Sequence, residues 1–230
     1  YINQEGMVKE VPNSYERFNF RTKLDVNIKD WIDIGGNLNV SRSEQHVASN
    51  SIWFNTYFSV PIIPVYDQTN TNASPVQLAN AQNIGYRGRQ NPYFNMLYSD
   101  DQNLQSRLLG NFYADIELIP NKLSFKTSYN YNYSSLNTRN VNFEFNDGVR
   151  FNESNLYKAN STSFDQIINN ILTYNESIGQ HSFTLMAGYL VNTQKSDRIY
   201  LRGDSIYTNP TFDNEELWYF TNPEEEINTS

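Results

Sequence analysis

The sequence predicts an all-β fold, an antiparallel up-and-down transmembrane β-barrel segment of about six strands in three hairpins. Apolar and polar residues alternate with a period of two over long stretches, as they do in strands that have one apolar side. The expected turns inside hairpins are short, whereas the links between hairpins are long. Aromatic residues make up 15% and charged residues 18% of the 230 positions, a composition typical of strands and loops rather than helices.

The first hairpin is expected at about 15–43. One side of its first strand is apolar and consists of Phe18, Phe20, Thr22, Leu24, Val26 and Ile28. The residues between them are polar or charged, so the alternation is strict. After Lys29 and Asp30 the same alternation resumes from Ile32 to Val40. The sequence therefore predicts two strands joined by a tight turn.

The second and third hairpins are expected at about 104–133 and 164–192. In the second, an alternating stretch reaches Leu118, and Pro120 and Asn121 supply turn residues. The return strand alternates from Leu123 to Tyr133. The third is less regular and turns near Gly179 before an alternating return strand. Six long strands result.

The expected links are long and lie at one end of the hairpins, at about 44–103, 134–163 and 193–230. Short periplasmic turns and long extracellular loops are the layout of bacterial outer-membrane barrels. Within the first link, Ser74 and Pro75 precede a short apolar stretch, which predicts one or two helical turns.

The apolar face is interpreted as facing lipid rather than a protein core. The strands reach the ten or so residues that a tilted span requires, and aromatic residues gather near strand ends, as at Trp31 and Tyr133. Because six strands cannot close a membrane barrel, we expect residues 1–230 to form part of one barrel domain. We expect the remaining barrel, and any plug domain, to lie outside this sequence.

Several segments resemble the barrel of SusC/RagA-type TonB-dependent transporters of Bacteroidetes. They are YERFNFRTKLDVNIKDWIDIGGNLNVSRS at 15–43, RLLGNFYADIELIPNKLSFKTSYNY at 107–131, NNILTYNESIGQHSFTLMAGY at 169–189 and the loop stretch NPYFNMLY at 91–98. The resemblance implies a plugged barrel in the Gram-negative outer membrane that imports a nutrient of the glycan or peptide class. It also implies TonB and a SusD-like surface lipoprotein as partners, beside the outer-membrane lipid.

The candidate residues form three groups. The lumen-facing candidates are Arg17, Arg21, Lys23, Asp25, Arg107, Asp115, Glu117 and Lys126. The membrane-facing candidates are Phe20, Leu24, Val26, Ile34, Leu38, Phe112, Ile116, Phe125 and Leu185. The loop aromatics that could contact substrate or lid are Trp53, Phe54, Tyr57, Tyr93 and Phe94. The simpler reading of the first group is a solvated wall or plug contact, and that of the third is packing within the loop.

The sequence contains no pattern that predicts an enzyme, a cofactor or a metal site. Nucleophile-elbow, phosphate-loop and dinucleotide-binding patterns are missing, and His46 and His181 stand alone. The net charge of -8, with scattered Lys and Arg, does not suit nucleic acid. Two alternatives to import stay open: a secreted β-sandwich that binds carbohydrate, and an outer-membrane barrel that does not transport.

Overall fold

A computed structural model describes residues 1–6, 13–207 and 219–229. Its main feature is one antiparallel sheet of eight strands in the order β1-β2-β3-β5-β6-β9-β10-β11. The strands are β1 (Ile2–Glu5), β2 (Ser14–Lys29), β3 (Ile32–Val47), β5 (Ser99–Ile119), β6 (Leu123–Asn142), β9 (Asn155–Ile178), β10 (His181–Tyr207) and β11 (Tyr219–Thr229). The six central strands are those of the three expected hairpins, so the all-β, up-and-down prediction is confirmed.

Two long connections fold together at one end of the sheet. They are residues 48–98 and 143–154, called the loop unit below. Their elements are α1 (Asn50–Tyr57), β4 (Ala73–Ser74), α2 (Pro92–Leu97), β7 (Phe145–Asp147) and β8 (Phe151–Asn152). Strand β4 pairs with β7, and β7 with β8, in a small separate sheet. No helix among the described residues is long and apolar enough to cross a membrane.

The register of the large sheet places its tight turns on a slope. Ile32 begins β3, directly after the first tight turn. Following the directly paired residues from Ile32 across the sheet leads to Ala187 on β10, whereas β10 itself begins at His181. The turn level thus shifts by six residues, from 187 to 181, over the four spacings between β3 and β10. This corresponds to about 20 Å along the strands and about 19 Å across them. If all the tight turns lie at one level, this shift requires the strands to tilt by about 45°. That angle is close to the tilt of the strands in membrane barrels.

The same register separates the side chains into an apolar and a polar face. One row of directly paired residues runs Leu24, Gly36, Phe112, Tyr129, Ile168 and Val191 across the six strands. All nine membrane-facing candidates share this face. Leu24 is 66% exposed and Leu185 is 71% exposed, because no second layer of described residues covers the sheet there. A β-sandwich would bury this face, so the sandwich alternative does not fit the fold.

The strands extend further than the alternation indicates. Strand β6 continues to Asn142 and β9 begins at Asn155, so most of the link expected at 134–163 is strand. Strand β10 likewise continues to Tyr207 through the start of the last expected link, of which 208–218 lies outside the described residues. These extensions consist mostly of polar residues and do not alternate strictly. Backbone pairing sustains them, together with a buried apolar contact between Val141 and Leu156.

The helical turns expected after Ser74 and Pro75 are not formed. This stretch instead extends past β4, and Leu78 forms an isolated bridge with Tyr66. The side chain of Leu78 is fully buried in the apolar cluster of the loop unit. Tertiary packing of that side chain therefore outweighs the local helix signal.

Candidate functional site

The polar face of the sheet brings the eight lumen-facing candidates together. Register places Arg17, Arg21, Lys23 and Asp25 of β2 on the same face as Arg107, Asp115 and Glu117 of β5 and Lys126 of β6. All of them lie on the side opposite the apolar row. The period-two pattern predicted correctly that these residues share a face. We call this face of the sheet the polar wall.

Side chains on this wall bond mainly to one another. Lys23 Nζ lies 2.6 Å from the Asp25 carboxylate, and the Tyr113 hydroxyl donates to Asp25 at 2.8 Å. Lys126 Nζ lies 3.9 Å from Asp115. These pairs are exposed to solvent, where an ion pair contributes about 0–1 kcal/mol. They organise the wall more than they stabilise it.

Amide side chains bridge neighbouring strands of the wall. Asn111 Nδ2 donates to Asn130 Oδ1, and Asn132 Nδ2 donates to Asp165 Oδ2 at 3.1 Å. These residues lie one row apart on the polar face. The wall thus carries neutral hydrogen-bonding groups beside its charges.

A charged cluster lies on the face of the sheet opposite the polar wall, at the strand ends next to the loop unit. The sequence did not reveal it. Arg139 donates to the Asp100 carboxylate, and His46 Nδ1 lies 3.8 Å from Asp100. His46 Nε2 lies 3.5 Å from Glu44. The four residues come from three strands, so only their pairing assembles them. Among the described residues, no three His, Cys, Asp or Glu side chains are arranged to hold a metal ion.

The loop aromatics divide into exposed and packed residues. Trp53, Phe54 and Tyr57 lie on α1 and are exposed, Tyr57 to 83%. Tyr93 is half-buried against the apolar cluster of the loop unit. Phe94 is 0% exposed, so its assignment as a substrate or lid contact is corrected to a packing role.

Phe94 is buried because it completes an aromatic stack. Its ring centroid lies 4.9 Å from that of Phe145, which in turn lies 5.0 Å from that of Tyr98. Phe145 comes from the second loop, so the stack joins the two parts of the loop unit. Burial raises the pKa of the Tyr98 hydroxyl.

Asp147 is the polar counterpart of this stack. Its Oδ1 accepts from the backbone N–H groups of Val149 and Arg150 at 2.9 and 2.8 Å, and its Oδ2 accepts from Gln90 Nε2 at 2.9 Å. Its backbone oxygen accepts from the buried Asn80 side chain at 3.1 Å. Asp147 therefore ties residues of both loops together.

The sequence analysis missed Asp147, although a local signal was present. Asn146, Asp147 and Gly148 form a turn tripeptide, and Gly148 has a φ of +92°. That signal predicts a tight turn at this point. It does not indicate that the turn binds Gln90 and Asn80 from a segment about sixty residues earlier.

Comparisons with known proteins give no matching family model. TonB-dependent receptor P3 of Formosa agariphila is 26% identical over 224 residues, which cover 91% of this chain and 21% of the receptor. TonB-dependent receptor P26 of the same organism is 26% identical over 117 residues, covering 50% of the chain and 11% of the receptor. These names denote receptors rather than enzymes.

Solved structures share the fold. The RagAB peptide importer in its closed-closed state matches with a TM-score of 0.68 at 16% identity, covering 98% of this chain and 26% of the importer chain. The RagAB peptide transporter matches with a TM-score of 0.67 at 17% identity. This chain thus spans about a quarter of those chains and about a fifth of receptor P3.

The sequence match and the fold match cover the same long sheet and its loop unit. The match to receptor P3 covers 91% of this chain, and the match to the RagAB importer structure covers 98% of it. These similarities confirm the predicted resemblance to SusC/RagA-type TonB-dependent transporters.

Proposed function

We propose that this protein forms part of the wall of a TonB-dependent transporter that imports a nutrient across the Gram-negative outer membrane. One observation carries the proposal: a single staggered sheet has an uncovered apolar face on one side and a polar wall on the other. In a barrel, the first face contacts lipid and the second lines the interior. The similarity to TonB-dependent receptors supports energised import over passive diffusion.

The height of the apolar face supports a membrane location. On β2, the apolar side chains run from Phe18 to Ile28. Ten residue steps span about 33 Å along a strand, or about 23 Å along the membrane normal at a tilt of about 45°. The apolar band of outer-membrane barrels is about 25 Å tall. The strands beyond Phe18 then rise above the membrane and carry the loop unit outside the cell.

The loop unit is proposed to meet substrate and a SusD-like surface lipoprotein. Trp53, Phe54 and Tyr57 form an exposed aromatic surface on α1. Exposed aromatic rings of this kind are enriched in protein interfaces and also stack on sugars. The fold shared with the RagAB peptide importer supports the lipoprotein partner, and the receptor relatives support TonB.

The substrate is proposed to be a glycan or a peptide. Uptake of fluorescently labelled oligosaccharides and oligopeptides by cells with and without the gene tests this. We expect uptake of one class to need both this gene and an active TonB system. Uptake that is unchanged without the gene would contradict import, and uptake that needs the gene but not TonB would indicate a passive barrel.

A further inference from the structure

Two loops of the loop unit enclose a polar cavity of about 290 Å³. We call it the arginine pocket, because Arg89 from the first loop and Arg150 from the second both line it. The remaining lining is mainly amide side chains, including those of Asn55, Gln90 and Asn152. The pocket lies beyond the polar wall and contains none of the residues selected from the sequence.

Both guanidinium groups are left without a carboxylate partner among the described residues. Arg89 lies over the ring of Phe54, with its guanidinium carbon 4.6 Å from the ring centroid. This stacking orients the guanidinium while leaving its N–H groups available for hydrogen bonds in the ring plane. The side chain of Arg150 is exposed at the turn between β7 and β8.

Asp147 is the carboxylate that lines the pocket, and its oxygens are already engaged. Oδ1 accepts from two backbone N–H groups, and Oδ2 accepts from Gln90. It therefore positions Gln90 and the Arg150 turn without pairing with either arginine. The pocket keeps an excess of positive charge in a chain whose net charge is -8.

The amides are held in place before any ligand arrives. Asn55 Nδ2 donates to Asn95 Oδ1 at 2.9 Å, which links α1 to α2. Asn80 Nδ2 donates to the Asp147 carbonyl at 3.1 Å, and Asn80 Oδ1 accepts from the Gln82 N–H at 2.9 Å. Preorganised polar groups reduce the ordering cost of binding. The combination of fixed amides and two free guanidinium groups suits a carboxylate attached to a polar body.

We propose that the arginine pocket binds a carboxylate of the imported ligand, which is either the uronate group of an acidic glycan or the terminal carboxylate of a peptide. The inference rests on the proposed import function for its physiological role. Arg89 and Arg150 donate to the carboxylate oxygens, and the amides bond to neighbouring hydroxyl or peptide groups. Asp147 is a positioning residue for this site.

The test is calorimetric binding to the intact protein in detergent. The probes are trigalacturonate against its methyl ester, and tetra-alanine against its C-terminal amide. We expect the free acid of at least one pair to bind about tenfold or more tightly than its neutral form, because charge-assisted hydrogen bonds are lost with the charge. Binding of the acid should weaken with added salt.

Three variants separate the site from general charge effects. Arg89→Gln and Arg150→Gln should each weaken acid binding by about tenfold and leave the neutral probes unchanged. Arg87→Gln is the matched control, because Arg87 is exposed on the same loop but does not line the arginine pocket. Heat-modifiable electrophoretic mobility verifies that every variant is a folded barrel.

The outcomes are distinct. Tighter binding of the free acid than of its neutral form supports the site. Whether the glycan pair, the peptide pair or both pairs show this difference identifies the ligand. Acid and neutral probes of equal affinity, an absence of binding, or no response to Arg89→Gln and Arg150→Gln overturns it. Because the titration needs neither TonB nor uptake, such a failure leaves the import proposal intact, which the cell assay tests separately.

Discussion

Replacing Leu24 by arginine tests which face of the sheet contacts lipid. Leu24 lies on the apolar face, 66% exposed, in a row that contains Phe112 and Ile168. It is five residues from the end of β2 at Lys29, which is about 16 Å along the strand and about 12 Å along the membrane normal at a tilt of about 45°. This depth is the middle of an apolar band about 25 Å tall.

An arginine at mid-membrane on the lipid side costs about 2–4 kcal/mol, and the cost falls to about 0–1 kcal/mol near the interfaces. We therefore expect Leu24→Arg to lower the free energy of unfolding of the intact barrel by about 2–4 kcal/mol. The assay is urea unfolding in lipid vesicles, monitored by heat-modifiable electrophoretic mobility. Cells should also show less assembled barrel.

Two control variants separate depth from facing. Ile178 is 65% exposed at the turn end of β9, so Ile178→Arg should cost about 0–1 kcal/mol. Asn37 lies on the polar wall, one residue along β3 from the partner of Leu24, so Asn37→Arg should also change stability little. Equal urea midpoints for Leu24→Arg and wild type, or for Leu24→Arg and Ile178→Arg, would refute the lipid-facing assignment.

Three further predictions concern the loop unit. Phe94→Ala should destabilise it by about 3–5 kcal/mol, because the ring is fully buried, and limited proteolysis should cleave it faster, whereas the exposed Tyr57→Ala should not change cleavage. Gly148→Ala should have the same direction of effect, since its φ is +92° and a Cβ would lie 2.3 Å from a buried asparagine oxygen; unchanged proteolysis would contradict this. Hydrogen bonds from the side chain and N–H of Thr69 lower the pKa of Asp67. The contribution of Asp67 to loop stability should therefore be present above the ordinary carboxyl pKa and be lost as the pH falls through the lowered value, and an equal acid response of Asp67→Asn in hydrogen exchange would refute it.

The face of the sheet on which each side chain of the alternating segments lies was readable from the sequence. Alternation is a local property of a strand, so Leu24 and Lys23 take opposite faces whatever the rest of the chain does. The short turns were readable for a similar reason, since Pro120 with Asn121 and Gly179 are local turn residues; Asn121 and Gly179 have φ values of 59° and 62°.

The strand extensions at 134–142 and 155–163 were not readable, because their mostly polar residues do not follow the alternation by which a strand is recognised. Residues 134–142 and 155–163 are mostly polar on both faces and were expected to form a link. Their backbone groups pair residue by residue from Ser134 with Ser163 to Asn142 with Asn155. Hydrogen bonding to a neighbouring strand stabilises them, and the sequence of one strand does not show which strand pairs with it.

The sequence by itself determined the hairpins, their short turns and the side of the sheet to which each charged residue belongs, since these depend on near neighbours and on a period of two. The tertiary structure alone decided the slope of the register, the burial of Phe94 against Phe145 and the meeting of Arg89 with Arg150 in one pocket. Those features join residues that are about fifty to one hundred and fifty positions apart, and contacts over such separations arise only when the chain pairs and packs.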